Sequence, residues 1–173
     1  MIGRKGRSLG EILLIAALLF TLIPSPSFAA GDDVVIPDGA MKVDGEAAVS
    51  GNIGYDANGQ DGAYAWIDHN SSDSSIAYSV TVDAAGTYDF AFRYTAGTVN
   101  TAQDRTLAVD VNGQAGAASL VLPDTGTWNT WNTVVLPLEL VAGANTVTLR
   151  AEAAGNGMCL DYFHVWLVSE SDG

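Results

Sequence analysis

Two tryptophans in a turn-rich segment are the residues of this sequence best suited to bind a ligand. Trp128 and Trp131 lie within Leu122–Val134, where Thr and Asn recur. Because a strand presents every second residue to the same face, a spacing of three cannot place both rings on one strand face. We therefore expect at least one ring on a loop, where large aromatic side chains commonly bind something. Trp128 is the candidate for ligand contact, with packing at the core edge as the alternative, and Trp131 is predicted to pack in the core.

Acidic side chains offer a second kind of chemistry, the binding of a divalent cation. Asp44 and Glu46 are two residues apart, a spacing that a strand places on one face. The chain carries twenty acidic residues, which makes cation binding electrostatically favourable, although solvated surface acids are the alternative. With one cysteine and two histidines, neither an intramolecular disulfide nor a zinc site nor a Cys/His dyad is indicated.

The first 30 residues have the features of an export signal. Three basic residues precede an apolar run at positions 12–23, which is too short for a membrane span of about 20 residues. Residues 27–29, Ser-Phe-Ala, supply the small-x-small pattern that signal peptidase recognises. We expect cleavage after Ala29 or Ala30 and a secreted or cell-surface protein of one domain, residues 31–173, with an uncleaved anchor as the alternative.

The charge of the mature chain limits its partners. The full chain has a net charge of −13, and removal of residues 1–30 leaves four basic and nineteen acidic residues, a net charge of −15. Nucleic acids and anionic membranes are bound through basic patches, and the remaining basic residues are scattered along the sequence. We therefore expect no nucleic-acid partner and, after signal cleavage, no membrane partner. Arg93 and Arg105 are expected to pair with acidic residues, with contact to an acidic sugar as the alternative.

Alternating apolar residues predict an all-β fold. Residues 76–82 and 88–94 alternate on either side of the turn at 83–86, a pattern that predicts a hairpin. Asn112-Gly113 is a strong signal for a second hairpin. No segment after residue 30 has helical periodicity. Eight or nine short strands at this spacing favour an antiparallel β-sandwich, of the jelly-roll type.

Nine segments, in order, resemble the carbohydrate-binding modules of families 6 and 35, which are galactose-binding-like jelly rolls. The segments are Glu46-Ala-Ala-Val-Ser-Gly51, Gly62-Ala-Tyr-Ala-Trp-Ile-Asp68, Ile76-Ala-Tyr-Ser-Val80, Ala85-Gly-Thr-Tyr88, Phe92-Arg-Tyr94, Asp104-Arg105 with Val111-Asn-Gly113, Leu122-Pro-Asp-Thr-Gly-Thr-Trp-Asn-Thr-Trp131, Leu140-Val-Ala-Gly-Ala-Asn145, and Leu160-Asp-Tyr162. Each segment alone is common in β proteins, whereas their order across residues 41–168 is specific to the family.

The resemblance implies a non-catalytic module that binds sugar between two aromatic rings, at the positions of Trp66 and Trp128. An indole ring suits the apolar face of a pyranose, and neutral hydroxyls need no charge to be bound. Tyr64 and Asn156 are the candidate polar partners. The family has an amide at the position of Cys159, and a thiol cannot replace the paired donor and acceptor of an amide. Trp66 has core packing as its alternative, and Asn156 would act only if its loop folds back.

The resemblance also implies a structural Ca²⁺ away from the sugar. The matching positions are Asp44 and Glu46 on the first strand and Asp161 on the last. Calcium takes six to eight oxygens, so three carboxylates with loop carbonyls form a suitable set. Asp44 is one methylene shorter than the glutamate of the family, which makes it the least secure ligand.

The main hypothesis is therefore an exported, calcium-stabilised β-sandwich that binds a neutral polysaccharide or oligosaccharide without catalysis. An association with a separate glycan-active enzyme or a cell-surface assembly is a further expectation. One alternative is a structural or adhesion protein that has lost sugar binding, as the Cys159 departure suggests. A glycan-active enzyme is the other, because sequence alone does not exclude a pair of catalytic carboxylates.

Overall fold

The computed structural model describes residues 28–30, 34–55, 62–97 and 103–168, and these residues form strands with one short 3₁₀ turn. The strands are β1 Phe28–Ala30, β2 Met41–Asp44, β3 Asn52–Gly54, β4 Tyr64–Ile67, β5 Ser75–Val82, β6 Gly86–Thr95, β7 Arg105–Val111, β8 Gln114–Leu122, β9 Asn132–Leu140, β10 Gly143–Ala151 and β11 Met158–Leu167, with the 3₁₀ turn at Gly45–Ala47.

Two antiparallel sheets face each other and enclose the apolar core. The larger sheet has seven strands in the order β1-β9-β6-β11-β4-β3, with β2 also paired to β11. The smaller sheet has the order β5-β10-β7-β8. The predicted all-β antiparallel sandwich of the jelly-roll type is thus confirmed, with more strands in the described residues than the eight or nine expected.

One of the two predicted hairpins is wrong and the other is confirmed. The strands β5 and β6 form where expected, but β5 pairs with β10 in the smaller sheet, whereas β6 pairs with β9 and β11 in the larger one. The turn between them therefore crosses the sandwich. The strands β7 and β8 do form a hairpin, and its turn residues Asn112 and Gly113 have φ values of 52° and 79°, as a type I′ turn requires.

Four aromatic rings from both sheets meet in the centre of the core. Phe163 contacts Tyr78 edge-on at 4.9 Å between ring centroids, and it lies 5.7 Å from Phe90 and 5.4 Å from Phe92. The Tyr78 hydroxyl donates a hydrogen bond to the carbonyl of Gly45 at 2.9 Å, and burial raises the pKa of this phenol well above its usual range. The core thus holds the 3₁₀ turn at a fixed place beside β11.

The first predicted strand ends earlier than expected. β2 stops at Asp44, and Glu46 lies in the 3₁₀ turn, so the two acids do not share a strand face as predicted. Gly45 between them is buried, and a Cβ there would collide with the carbonyl oxygens of Leu160 and Asp161. Only a residue without a Cβ fits this close approach.

The predicted leader lies outside the described residues except for positions 28–30. These three residues form β1 and pair with residues 133–135 of β9 at the sheet edge. Across the described part of the chain, no helix is long and apolar enough to span a membrane.

Candidate functional site

A cavity of about 200 Å³ lies on the larger sheet beneath the β8–β9 connection. It is lined by Tyr64, Thr95, Trp128, Trp131 and Cys159. Three neighbouring strands supply its floor: β11 carries Cys159 and pairs on one side with β6, which carries Thr95, and on the other with β4, which carries Tyr64. The tryptophans come from residues 123–131, called here the tryptophan loop. Three aromatic rings and no charged side chain therefore surround this space, an environment suited to a neutral ligand with apolar faces.

Hydrogen bonds to the end of β6 fix the tryptophan loop in place. The Thr125 amide donates to the carbonyl of Ala96 at 3.2 Å, and the Ala96 amide donates to the Thr125 hydroxyl at 3.1 Å. The Thr95 hydroxyl donates to the carbonyl of Thr127 at 3.1 Å. The Tyr94 phenol, whose pKa burial raises to about 12, donates to the carbonyl of Pro123 at 2.9 Å. The loop is therefore held along its length against a single strand end.

Gly97 lets the tryptophan loop approach the sheet. A Cβ at this position would lie 2.5 Å from the Trp128 amide nitrogen and 2.8 Å from its Cδ1. Both distances are shorter than any ordinary carbon contact, and one of them is to backbone. Only glycine at position 97 permits the observed placement of Trp128.

A buried arginine connects the tryptophan loop with the β6–β7 connection beside the cavity. Arg105 is 1% exposed, and its Nη2 donates to the carbonyl of Gly97 at 2.9 Å. Its Nη1 donates to the carbonyl of Gln103, and Nη2 lies 3.9 Å from the Asp124 carboxylate at the start of the tryptophan loop. The expected pairing of Arg105 with an acidic residue is confirmed, as is that of Arg93, whose Nε lies 3.1 Å from Asp161 Oδ2.

The structure brings together some of the predicted sugar-binding residues and separates others. Trp128 and Tyr64 both line the cavity. Trp131, predicted in the core, is half-buried and lines it too, because β9 begins one residue later and leaves the ring on the loop. Trp66 is half-buried, outside both the core and the cavity, and it pairs with Cys159 at the cavity floor. It flanks the cavity rather than lining it.

Asn156 is not part of the cavity. Its side-chain oxygen accepts a hydrogen bond from the Thr106 amide at 3.2 Å and so ties the β10–β11 loop to the start of β7. The amide missing at Cys159 is therefore not replaced by Asn156 in this conformation. Thr95 and Gly97 belong to the site but were not among the predicted residues, because neither residue type by itself indicates a binding site. The one sequence feature near them is the end, at Tyr94, of the alternation of apolar residues.

The three candidate calcium ligands lie on neighbouring backbone, but Asp44 and Asp161 pair with different cations. Asp44 lies opposite Tyr162 in the sheet, and Gly45, which precedes Glu46, packs against the carbonyl of Asp161. Lys42 Nζ lies 2.6 Å from the buried Oδ1 of Asp44, as an ion pair without hydrogen-bond alignment. Asp161 is buried against Arg93. No group of three or more Asp, Glu, His or Cys side chains in the described residues is arranged to hold a metal.

A wider depression lies at the other end of β6 and β11. It measures about 720 Å³ and is lined by turns and strand ends, including Asp83, Asp89 and Trp166. Burial raises the pKa of Asp89 above its usual value. Asp89 and Thr95 are six residues apart on β6, or roughly 20 Å. Tyr88 and Trp166 are the aromatic residues among its many lining residues, whereas three of the five residues that line the smaller cavity are aromatic.

The fold and the aromatic cavity together define a β-sandwich binding module, and comparison with known proteins gives its family. The family model of the carbohydrate binding module (family 6) matches residues 38–166. The chain belongs to this family. Among solved structures, it is similar to a family 35 carbohydrate binding module from Clostridium thermocellum, with a TM-score of 0.65 and 27% identity over 75% of this chain and 98% of that one.

Two curated relatives are much longer proteins. The exo-beta-D-glucosaminidase of Amycolatopsis orientalis is 33% identical over 131 residues, which are 75% of this chain and 11% of that protein. The isomaltosyltransferase of Sporosarcina globispora is 33% identical over 141 residues, 79% of this chain and 12% of that protein. The chain thus spans about a ninth of the length of these relatives and corresponds to one module within them.

Replacing Gly97 by alanine is expected to displace the tryptophan loop. The added methyl group would overlap the Trp128 backbone, and such overpacking costs about 1–3 kcal/mol of the free energy of unfolding. We expect increased quenching of tryptophan fluorescence by acrylamide, and the increase should vanish in the Trp128→Phe background. Gly86→Ala is the matched control, because its Cβ would meet only the Leu167 side chain. Equal quenching in both glycine variants would contradict the role of Gly97.

Proposed function

We propose that this module binds a neutral polysaccharide or oligosaccharide in the cavity beneath the tryptophan loop, without catalysis. The observation that carries the proposal is the convergence of Tyr64, Trp128 and Trp131 around one cavity in a member of a carbohydrate-binding family. Aromatic rings present flat apolar surfaces to the C–H faces of a pyranose, while the Tyr hydroxyl and indole N–H groups donate to its hydroxyls.

The size and chemistry of the cavity support a single neutral sugar ring as its occupant. Its volume of about 200 Å³ is below the range of roughly 300–1,000 Å³ typical of pockets for drug-sized ligands. None of its five lining residues is charged, and glycoside hydrolysis commonly requires two carboxyl groups across the scissile bond. These features support binding of the sugar rather than its cleavage.

Replacing Trp128 by alanine tests the proposal directly. Loss of a central aromatic contact typically costs about 2 kcal/mol, so affinity for a glycan found by array screening should fall about thirtyfold by titration calorimetry. Trp166→Ala is the matched control, since Trp166 lies seven residues from Cys159 along β11, or roughly 23 Å. If the folded wild-type protein binds no glycan, the proposed sugar binding is wrong. If it converts a glycan to product, the proposal that it is non-catalytic is wrong.

A second candidate function is a structural or adhesion sandwich that has lost sugar binding. It is favoured by the thiol of Cys159 on the cavity floor and by the engagement of Asn156 with β7, which leave the cavity without an amide. The same glycan screen discriminates the two, because only this second candidate expects a folded protein that binds no glycan.

We propose in addition that Asp44, Glu46 and Asp161 hold a structural Ca²⁺. The support is the backbone around Asp161, because Asp44 lies opposite Tyr162 and Gly45 packs against the carbonyl of Asp161. In addition, the buried Oδ1 of Asp44 has no hydrogen-bond partner among the described residues. A cation would compete with Lys42 for Asp44 and with Arg93 for Asp161. Bound there, it would neutralise the acids, none of which lines the cavity.

Chelation is expected to lower the melting temperature of the purified protein. A ligand that binds only the folded state stabilises it by mass action, by about 2.7 kcal/mol at a concentration one hundred times its Kd. Excess chelator should therefore shift the melting curve downward, and added Ca²⁺ should restore it. Asp161→Asn should abolish this response. A melting curve that is unchanged in excess chelator would count against the site.

Finally, we infer export of the chain and association with glycan-active enzymes outside the cell. The apolar run and the Ser-Phe-Ala pattern support cleavage after Ala29 or Ala30, and the names of the long relatives support a setting of glycan modification. The intact mass of the secreted protein should correspond to a chain starting at Ala30 or Gly31. A mass that retains the leader contradicts cleavage, and a chain confined to the cell contradicts export.

A further inference from the structure

Four polar and aromatic side chains form a continuous row on the outer face of the larger sheet. They are Arg93 on β6, Tyr162 and His164 on β11, and Lys42 on β2, called here the outer-face row. In the sheet register, Tyr162 lies opposite Arg93, and His164 lies opposite Lys42. The row therefore runs across the strands rather than along one of them.

The outer-face row begins at the cavity. The Arg93 guanidinium lies 6.0 Å from the ring centroid of Trp131, a cavity residue, and 5.8 Å from that of Tyr162. Lys42 Nζ lies 4.7 Å from the Tyr162 ring, and His164 meets the same ring edge-on at 5.2 Å. From the tryptophan loop beside β9 to β2, three strand spacings carry the row roughly 14 Å from the cavity.

The outer-face row has hydrogen-bonding groups that the fold does not use. Within the described parts of the chain, Nε of Arg93 is bound by Asp161, but its two Nη groups have no acceptor. The Tyr162 hydroxyl and the His164 imidazole likewise have no hydrogen-bond partner there. All three side chains are half-buried. Burial, followed by the nearby Lys42 charge, lowers the pKa of His164, so the ring is neutral at pH 7 and both donates and accepts.

The charges of the row are balanced within the protein. Lys42 pairs with Asp44 at 2.6 Å, and Arg93 pairs with Asp161 at 3.1 Å. While these two ion pairs are intact, an anionic ligand would gain little net attraction from Lys42 and Arg93, in a chain whose overall charge is −13. Sugar hydroxyls, by contrast, need donors, acceptors and flat ring faces, and the row supplies each of these.

We propose that the outer-face row is a second subsite, which binds the sugar units that follow the one held in the cavity. The inference rests on the proposed sugar-binding function. It follows from the size of the cavity, about 200 Å³, which leaves the neighbouring units outside it, and from the contact of Trp131 with Arg93, which makes the two surfaces continuous. The module thus recognises a short stretch of a neutral glycan.

Affinity measured as a function of ligand length tests this subsite. The probes are mono-, di- and trisaccharides of β-1,4-linked xylose, α-1,6-linked glucose and β-1,3-linked galactose, titrated by calorimetry. Wild-type affinity should rise about tenfold from monosaccharide to trisaccharide. Tyr162→Ala should abolish this rise and leave monosaccharide binding unchanged, and Tyr162→Phe, which keeps the ring, should retain part of it. Trp128→Ala should weaken binding at every length.

Controls separate the subsite from the cavity and from folding. Arg150→Ala removes a cation paired with Asp110 on the other sheet and should change nothing at any length. A melting temperature near the wild-type value shows that each variant is folded. A length dependence that Tyr162→Ala leaves intact, a wild-type affinity independent of length, or an equal loss at all lengths overturns the subsite while the cavity proposal stands. If the folded wild-type protein binds no glycan in the array, both proposals fall.

Discussion

The burial of the Arg105 guanidinium is the constraint on which the site depends. A charge that is 1% exposed is tolerated only where acceptors surround it, and the carbonyls of Gly97 and Gln103 with the carboxylate of Asp124 supply them. These acceptors come from both ends of the β6–β7 connection and from the start of the tryptophan loop. The two Nη groups make these contacts, whereas the buried Nε has no hydrogen-bond partner among the described residues. Through its Nη groups, one arginine therefore fixes two loops against each other, and with them the wall of the cavity.

The same constraint explains why a glycine lies beneath Trp128. Once Arg105 holds the carbonyl of Gly97, the chain at that position cannot retreat from the sheet, and the tryptophan loop packs directly onto it. The aromatic side chains therefore sit on a supported backbone rather than on a free loop. Such a preorganised cavity avoids the entropic cost of ordering a loop on binding. The placement of Trp128 and the fixed backbone at Gly97 therefore both depend on the buried Arg105.

Alternation and turn residues predicted the sandwich, its individual strands and the β7–β8 hairpin, but not the assignment of strands to sheets. Residues 76–82 and 88–94 alternate equally well whether they pair with each other or lie in opposite sheets, because both arrangements bury one face. The choice depends on long-range contacts, such as that of Tyr78 with Phe163. The same limit applies to Trp131. Its position one residue before β9, not its type, places it on the cavity, and strand ends are the least certain part of a pattern.

The chemistry of the cavity floor bears on how tightly a sugar can be held. Thr95 is committed to the tryptophan loop, and Cys159 offers only a weak donor and acceptor, so the floor contributes little directional hydrogen bonding. In the proposed function, ring stacking against Trp128, Trp131 and Tyr64 would supply most of the interaction, and stacking selects the shape of a ring face more than the pattern of its hydroxyls. The hydrogen-bonding groups that would discriminate hydroxyls in the proposed second subsite lie outside the cavity, on Arg93 and Tyr162. A module whose cavity accepts several sugars can therefore gain selectivity by binding the glycan units that lie outside the cavity.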